Sequence, residues 1–192
     1  MKYHTMSADR VHPISEVANL EKKVPLSWMN ANHTQMTEEF LDYAGEELVV
    51  IGLLKGAAYF LTELTEHITV PVRIDFIKAS SYGSGTKSSG KVDIDYDTSR
   101  NIAGKNVLLV DDVVDTGLTL KAVGELFHNR NPKSLKFAAM LDKKERRLVK
   151  VLPDYAGFEI PDEFVVGFGL DYDEEFRNLP YIGILKRSVY EK

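Results

Sequence analysis

Two short runs of apolar residues, each without a polar interruption, constrain the fold of this chain more than any other feature of its sequence. Leu48–Leu54 and Val107–Val110 contain only apolar residues and one glycine, a pattern typical of strands buried on both faces of a parallel sheet. Helical periodicity follows each run, at about 57–68 and 119–130. Because strands and helices alternate, the sequence predicts an α/β fold with right-handed crossovers and an open, twisted sheet.

The other predicted elements extend this sheet. Strands are expected at 72–78, 92–97 and 135–141, and a helix at 34–45, where Met36, Phe40, Leu41 and Ala44 recur at helical spacing before Gly45. The first 33 residues, interrupted by Pro13 and Pro25, are expected to lie over the core as a peripheral segment. Ligands of open parallel sheets bind at the carboxyl ends of the strands, so the residues that follow each strand are the candidates for a functional site.

Length and composition narrow the class of protein. The chain has 192 residues and no cysteine, and its 24 basic and 29 acidic side chains give a formal net charge of −5. A single domain of this size buries roughly 70 % of the surface of its extended chain. The lack of cysteine excludes disulfides, thiolate metal sites and cysteine nucleophiles, and it fits a reducing cytosol. The acidic balance argues against a nucleic-acid partner, because gripping a nucleic-acid backbone depends on Lys and Arg.

The sequence also gives no sign of a membrane or export signal. No stretch approaches about 18 consecutive apolar residues, and the amino terminus lacks the apolar core of a signal peptide. We therefore expect a soluble cytoplasmic protein with no membrane partner.

Residues 80–91 are rich in Gly and Ser and nearly devoid of apolar side chains. Such a segment buries too little surface to hold one conformation by itself, and its composition is compatible with a hairpin connection or with a lid over a site.

Gly85–Lys91 has the spacing of a P-loop, but Val92 replaces the magnesium-ligating Ser or Thr, and a strand pattern follows where the motif requires a helix. The histidines show no metal-ligand spacing and no G-x-S-x-G motif is present, so neither a P-loop nucleotidase nor a hydrolase triad is supported.

The segment richest in chemistry follows the second apolar run. The adjacent carboxylates of Asp111 and Asp112 suit paired ribose hydroxyls or a magnesium ion. Thr116–Thr119 then opens the predicted helix, where hydroxyls, backbone N–H groups and the close approach allowed by Gly117 can hold a phosphate. Asp115 lies beside this phosphate seat, where its carboxylate can take a proton.

In this setting the segment resembles the phosphoribosyl pyrophosphate signature of type I phosphoribosyltransferases. Other segments are similar to those of hypoxanthine-guanine phosphoribosyltransferases, namely Leu54–Ala57, Ser81-Tyr82, Leu141–Lys144 and Phe164–Tyr172 with Arg177. The resemblance covers about 48–185. It implies the type I phosphoribosyltransferase fold, a twisted and mainly parallel sheet flanked by helices with a small hood subdomain. Within a single domain, 1–192, it implies a core at about 34–141, a hood formed by the N-terminal segment and about 142–192, and a mobile lid at 80–91.

The resemblance also implies a reaction. Enzymes of this family join N9 of a 6-oxopurine, hypoxanthine or guanine, to C1 of the ribose of phosphoribosyl pyrophosphate, and they release pyrophosphate and IMP or GMP in purine salvage. The transition state has oxocarbenium character at C1, so catalysis is mostly the placement of charge. Magnesium is the implied cofactor, and a homodimer or homotetramer is the implied assembly.

Roles for individual residues follow from the same resemblance. It implies that Asp115 is the general base at purine N7 and that Asp111 and Asp112 bind the ribose hydroxyls. The resemblance assigns the 5′-phosphate to Asp115, Thr116, Gly117, Leu118 and Thr119, and it assigns pyrophosphate to Lys55, Gly56 and Arg177. It assigns the purine to Lys143, Phe164, Val165 and Asp171, and magnesium to Asp111, Asp112 and Asp171. Ser81 and Tyr82 are assigned to the working end of the lid. Lys143 would donate to the purine 6-oxygen, so adenine, which has an amino group there, should be rejected.

Several points stay open at the level of sequence. A register shift of one residue would exchange Lys143 and Lys144, and the Leu54–Lys55 peptide, which can be cis in this family, is undetermined. Many relatives have Glu where this chain has Asp111, so the ribose or metal contacts can differ. The order of preference among hypoxanthine, guanine and xanthine is not decided. Two alternatives remain. One is the same fold with a xanthine preference. The other is a non-catalytic regulator that senses phosphoribosyl pyrophosphate and binds nucleic acid, and the acidic net charge of this chain is unfavourable for such binding.

Overall fold

The computed structural model describes residues 20–24, 46–81 and 92–191. The main sheet contains six strands, β2 (Leu48–Leu53), β3 (Val72–Ser81), β4 (Val92–Tyr96), β5 (Asn106–Val114), β6 (Ser134–Asp142) and β7 (Tyr155–Glu159), in the order β4-β3-β2-β5-β6-β7. Only the β3–β4 pair is antiparallel among them. The expected open and mainly parallel sheet is therefore confirmed.

Two helices cover opposite faces of this sheet, α1 (Ala57–Glu66) and α2 (Leu118–His128). The alternation of side chains along a strand explains why both apolar runs lack polar residues. The side chains that pack with α1 include Leu48, Val50, Leu108 and Val110, and those that pack with α2 include Val49, Ile51, Val107 and Leu109. Each run thus supplies both hydrophobic layers, as the sequence predicts.

A second, smaller sheet contains β1 (Leu20–Val24), β8 (Val165–Val166) and β9 (Ile182–Leu185) in the antiparallel order β1-β9-β8. A 3-10 helix (Lys144–Arg146) follows β6, and a short helix α3 (Arg187–Tyr190) follows β9. The sequence patterns did not predict β1, β7, β8 or β9. Within the described ranges, no helix combines the length and apolar character needed to cross a bilayer.

One boundary differs from its prediction in a way that matters for the site. The apolar run at 107–110 predicted a strand that ends before Asp111, but β5 extends through Val114. The reason is that β6 runs alongside it and continues the ladder, with Asp111 opposite Ala139 and Val114 opposite Asp142. The carboxylate pair therefore lies in the carboxyl-terminal half of a central strand, close to the strand end at which the sequence placed it.

Other sequence predictions fall outside the described residues. These are the helix at 34–45, the P-loop-like segment Gly85–Lys91, Tyr82 and nearly all of the predicted lid. Val92, directly after the P-loop-like segment, begins the strand β4 and not a helix, which confirms the argument against a P-loop.

Candidate active site

Most of the predicted site residues line one cavity at the carboxyl edge of the main sheet. The cavity has a volume of about 280 Å³. Its lining includes Lys55, Gly56, Asp111, Asp112, Asp115, Thr116, Gly117, Thr119, Asp171 and Arg177. The ends of β2 and β5 meet here, and the helices that follow them lie on opposite faces, which is the switch point where open α/β sheets bind ligands.

Two adjacent carboxylates, those of Asp111 and Asp112, line this cavity. Asp111 is 9 % exposed, and its Oδ1 accepts a hydrogen bond from the Asp112 N–H at 3.0 Å. Burial, and after it the neighbouring charge of Asp112, raises the pKa of Asp111 well above its usual range. Burial also raises the pKa of Asp112. Two buried carboxylates side by side favour a ligand that brings hydroxyl donors or positive charge.

The donor set suits a magnesium ion that arrives with a phosphate substrate. Among the described residues, no group of three His, Cys, Asp or Glu side chains is arranged to hold a metal, and the Asp171 carboxylate is paired with Arg177 at 2.9 Å. Magnesium usually binds to one or two carboxylates together with substrate phosphates and water, not in an all-protein cage. The Asp111 and Asp112 carboxylates fit that mode.

Gly56 allows the loop that follows β2 to approach the carboxylate pair closely. A Cβ atom on Gly56 would lie 1.6 Å from Asp112 Oδ2, far inside van der Waals contact. The preceding Leu54–Lys55 peptide is cis, which answers the question left open by the sequence. The glycine therefore brings the backbone of the Lys55 loop against the carboxylate pair.

This contact yields a first prediction. Gly56→Ala is expected to lower kcat/KM on the order of 10-fold or more, because the methyl group must displace the Asp112 carboxylate by an ångström or more. Gly104→Ala is the matched control: its φ is +69° and no atom lies within 4 Å of the added Cβ, so only stability should fall. Steady-state kinetics and thermal unfolding of both variants test this, and unchanged kinetics in Gly56→Ala would contradict the close approach.

Lys55 and Arg177 line the cavity, and both pair with the carboxylate of Glu174. Lys55 Nζ lies 2.8 Å from Glu174 Oε2, and Arg177 lies 3.5 Å from the same carboxylate. Arg177 also donates to the Gly169 carbonyl at 2.7 Å. Sequence reasoning did not identify the contact of Glu174 with these two cations, which are 119 and 3 residues away along the chain.

The phosphate loop, Thr116–Thr119, begins helix α2. Gly117 has φ +81°, a left-handed conformation that glycine adopts without steric cost. The Thr116 hydroxyl accepts from the Leu118 N–H at 3.4 Å, and the Thr116 carbonyl accepts from Leu148 N–H at 2.9 Å. The loop is thus supported from the segment that follows the 3-10 helix.

Arg147 supports the phosphate loop from behind and was missed by sequence reasoning. Its guanidinium donates to the Asp115 carbonyl at 3.2 Å and to the Val151 carbonyl, and it forms an ion pair with Asp142. The Arg147 and Asp142 side chains are 11 % and 2 % exposed, so this is a buried pair with hydrogen-bond partners, the type that is costly to break. The adjacent pair Arg146-Arg147 after β6 is the sequence feature that could have indicated this role.

The two candidate lysines occupy different environments. Lys143 follows β6 and is 7 % exposed, and its N–H donates to the Val114 carbonyl at 2.9 Å. Burial lowers the pKa of Lys143, against the attraction of Asp115 and Asp162. The Lys144 side chain is 56 % exposed and pairs with Glu159 at 2.5 Å, and that hydrogen bond raises its pKa.

Of the predicted purine residues, Asp171 lines the cavity described above, whereas Lys143, Phe164 and Val165 do not. The Phe164 ring is 5.6 Å from the Tyr172 ring and 5.1 Å from the Tyr190 ring, centroid to centroid. Val165 begins β8 and is paired with Ile184. Ser81 is the last residue of β3, with its backbone opposite Val92.

The chain has clear relatives. The profile of the phosphoribosyl transferase domain matches residues 29–173. The hypoxanthine-guanine phosphoribosyltransferase of Streptococcus pneumoniae is 50 % identical over 149 residues, covering 78 % of this chain and 83 % of that protein. The crystal structure of a Staphylococcus aureus hypoxanthine phosphoribosyltransferase superposes with a TM-score of 0.87 at 41 % identity, covering 91 % of this chain and 96 % of that one. A Trypanosoma cruzi hypoxanthine phosphoribosyl transferase, solved to study the role of its C-terminal region in oligomeric state and activity, has a TM-score of 0.85 at 38 % identity, with 91 % and 96 % coverage.

Proposed function

This chain belongs to the phosphoribosyl transferase domain family, and we propose that it transfers the 5-phosphoribosyl group from phosphoribosyl pyrophosphate to N9 of hypoxanthine or guanine. The observation that carries this proposal is the convergence of a buried carboxylate pair, the phosphate loop and two cations in one cavity. The relatives named hypoxanthine-guanine phosphoribosyltransferase support the purine as the acceptor. The products are IMP or GMP and pyrophosphate.

The sugar phosphate binds along the carboxyl edge of the main sheet. Its 5′-phosphate accepts hydrogen bonds from the phosphate loop, where the first turn of α2 has backbone N–H groups without intrahelical partners. The ribose 2′ and 3′ hydroxyls donate to Asp111 and Asp112. Hydroxyl donors suit these two side chains, because both are buried acceptors.

Pyrophosphate is bound by Lys55, the Gly56 backbone and Arg177. Both cations pair with Glu174 in this structure, so pyrophosphate takes the place of that carboxylate as their partner. Magnesium, when bound, would neutralise charge on pyrophosphate and ease its departure. We propose Asp111, Asp112 and Asp171 as the residues that hold it.

The purine lies between the cavity and the smaller sheet, against Phe164 and the Val165 backbone, with Asp171 at its edge. The Lys143 ammonium donates to its 6-oxygen. Asp115 accepts the proton from N7 while N9 forms a bond to C1. The C1–O bond breaks at the same time, and the electron pair of that bond leaves with pyrophosphate.

The residues at 80–91, with Ser81 and Tyr82 at their start, close over the site and exclude water from the oxocarbenium centre.

Measuring nucleotide formation from phosphoribosyl pyrophosphate, magnesium and each of hypoxanthine, guanine, xanthine and adenine tests this function. Hypoxanthine and guanine should be converted and adenine should not, because an amino group cannot accept from an ammonium. The rates with xanthine settle the base preference. A preference for adenine would contradict the role of Lys143, and no conversion of any base would contradict the function.

The lysine assignment gives a second prediction. Lys143→Ala is expected to lower kcat/KM for hypoxanthine roughly 10- to 100-fold, because a hydrogen bond from a charged donor is worth about 1.5–3 kcal/mol. Lys144→Ala is the matched control, since that side chain is exposed and pairs with Glu159. Equal losses in the two variants would show that the register is wrong.

The buried ammonium also predicts a dependence on pH. Because burial lowers the pKa of Lys143, its proton is lost at a lower pH than that of an ordinary lysine, and the purine KM should rise as the pH increases through that range. Lys143→Arg keeps its charge throughout, so the ratio of wild-type to variant KM isolates this titration from that of the purine itself. A ratio that stays constant over the alkaline range would contradict the prediction.

We further propose a cytoplasmic homodimer or homotetramer whose smaller sheet belongs to the hood. The N-terminal strand β1 pairs with β9, which supports a hood formed from both ends of the chain. The T. cruzi relative was studied for its oligomeric state. Sedimentation of the full chain tests the assembly, and a monomer would contradict it.

A further inference from the structure

Arg146 contacts the side chain of Asp115, and the proposed reaction as described above gives it no role. Its Nε lies 3.2 Å from Asp115 Oδ1. On its other side, an Nη atom lies 3.5 Å from Asp162 Oδ1. Asp115 Oδ1 is buried and accepts no hydrogen bond from any described residue, so the ion pair with Arg146 is the close contact of this oxygen with a charged group. Arg146 therefore bridges two carboxylates, one of which lines the cavity.

The local backbone places Arg146 one 3-10 turn after Lys143. The 3-10 helix Lys144–Arg146 follows Lys143, and the Arg146 N–H donates to the Lys143 carbonyl at 3.2 Å. The Arg146 guanidinium meets the carboxylates of Asp115 and Asp162. The charges of Asp115, Asp162 and Arg146 all act on Lys143.

We propose that Arg146 is a positioning residue for Asp115. This inference rests on the proposed function, in which Asp115 accepts the N7 proton of the purine. A carboxylate has two oxygens, so Arg146 holds one of them while the other is available to N7–H. Arginine suits this task because its planar guanidinium stays charged and faces Asp115 through Nε and Asp162 through an Nη atom.

The same geometry separates a positioning role from a structural one. The Arg146 and Asp162 side chains are 49 % and 50 % exposed, and exposed ion pairs add little to stability. Loss of Arg146 should therefore leave the folded protein as stable as before while the base loses its orientation. The effect should appear in kcat, because purine binding depends on other groups.

Kinetics of IMP formation by Arg146→Gln, with Lys144→Gln as the matched control on the same 3-10 helix, test the proposal. We expect kcat to fall roughly 10-fold in Arg146→Gln, with little change in purine KM or thermal midpoint, because a small misplacement of a reacting group is costly. Arg146→Lys should recover part of the loss. Added guanidinium, at millimolar concentration, should partly restore Arg146→Ala and should not affect Lys144→Gln.

A double-mutant cycle supplies the second readout. In an Asp115→Asn background, Arg146→Gln should cost little further, because the carboxylate that it positions is gone. Additive losses would overturn the proposal, as would a kcat equal to that of Lys144→Gln or a raised purine KM at unchanged kcat, which would mean that Arg146 binds the purine directly. Turnover by the wild-type protein tests the proposed function, whereas the ratio of variant to wild-type kcat tests the role of Arg146. Failure of the proposed function can therefore be distinguished from failure of the positioning role.

Discussion

Asp115→Asn is expected to lower kcat for IMP formation roughly 10²- to 10⁴-fold, the usual contribution of a positioned general base. The amide has the shape of the carboxylate but cannot take the N7 proton. Because Asp115 lines the cavity and its side chain pairs only with Arg146 among the described residues, the fold should persist, and the KM for phosphoribosyl pyrophosphate should change far less than kcat.

The matched control for this variant is Glu159→Gln. It removes one carboxylate charge from an exposed pair with Lys144, outside the cavity lining, and should leave kcat unchanged. Rapid-quench measurement of the chemical step in both variants, with thermal unfolding in parallel, checks the prediction. Turnover retained by Asp115→Asn would remove the general-base role, although the family assignment would stand.

Removal of magnesium is expected to lower activity on the order of 100-fold or more, since a Lewis acid at a departing phosphate contributes several kcal/mol. Activity of chelator-treated protein should return when magnesium is added. The thermal midpoint without substrate should be unaffected, because magnesium needs phosphate oxygens of the substrate in addition to the Asp111 and Asp112 carboxylates.

The sign of the pH dependence follows from the carboxylate pair. Burial and mutual charge raise the pKa of Asp111 and burial raises that of Asp112, so protons compete with the cation at a higher pH than for ordinary aspartates. The magnesium concentration for half-maximal rate should therefore increase as the pH falls. Full activity in chelator would contradict the cofactor proposal, and a pH-independent requirement would contradict the coupling to these carboxylates.

Much of the fold was predictable because its signals are local. The apolar runs at 48–54 and 107–110 predicted strands that are now β2 and the first half of β5. The helices at 57–68 and 119–130 were predicted to within about two residues, since their apolar faces repeat at 3.6 residues. Burial on both faces of a parallel sheet leaves a pattern that neighbouring residues alone reveal.

The smaller sheet was not predictable by the same reasoning. β8 has two residues and β9 has four, too few to show a period. β1 joins them by pairing Leu20 with Leu185, across nearly the whole chain. Such pairing depends on the closing of long loops and not on local preference.

The sequence by itself determined the parallel sheet, the position of Thr116–Thr119 at the start of a helix and the identity of the residues near the strand ends. The tertiary structure decided what those residues touch: the extension of β5 through the carboxylate pair, the burial of Lys143 in place of Lys144, and the contacts of Glu174, Arg146 and Arg147 with the site. The physical reason is range. Hydrophobic periodicity and helix-start chemistry act between near neighbours, whereas ion pairs, burial and the pKa values that depend on them are set by segments that only folding brings together.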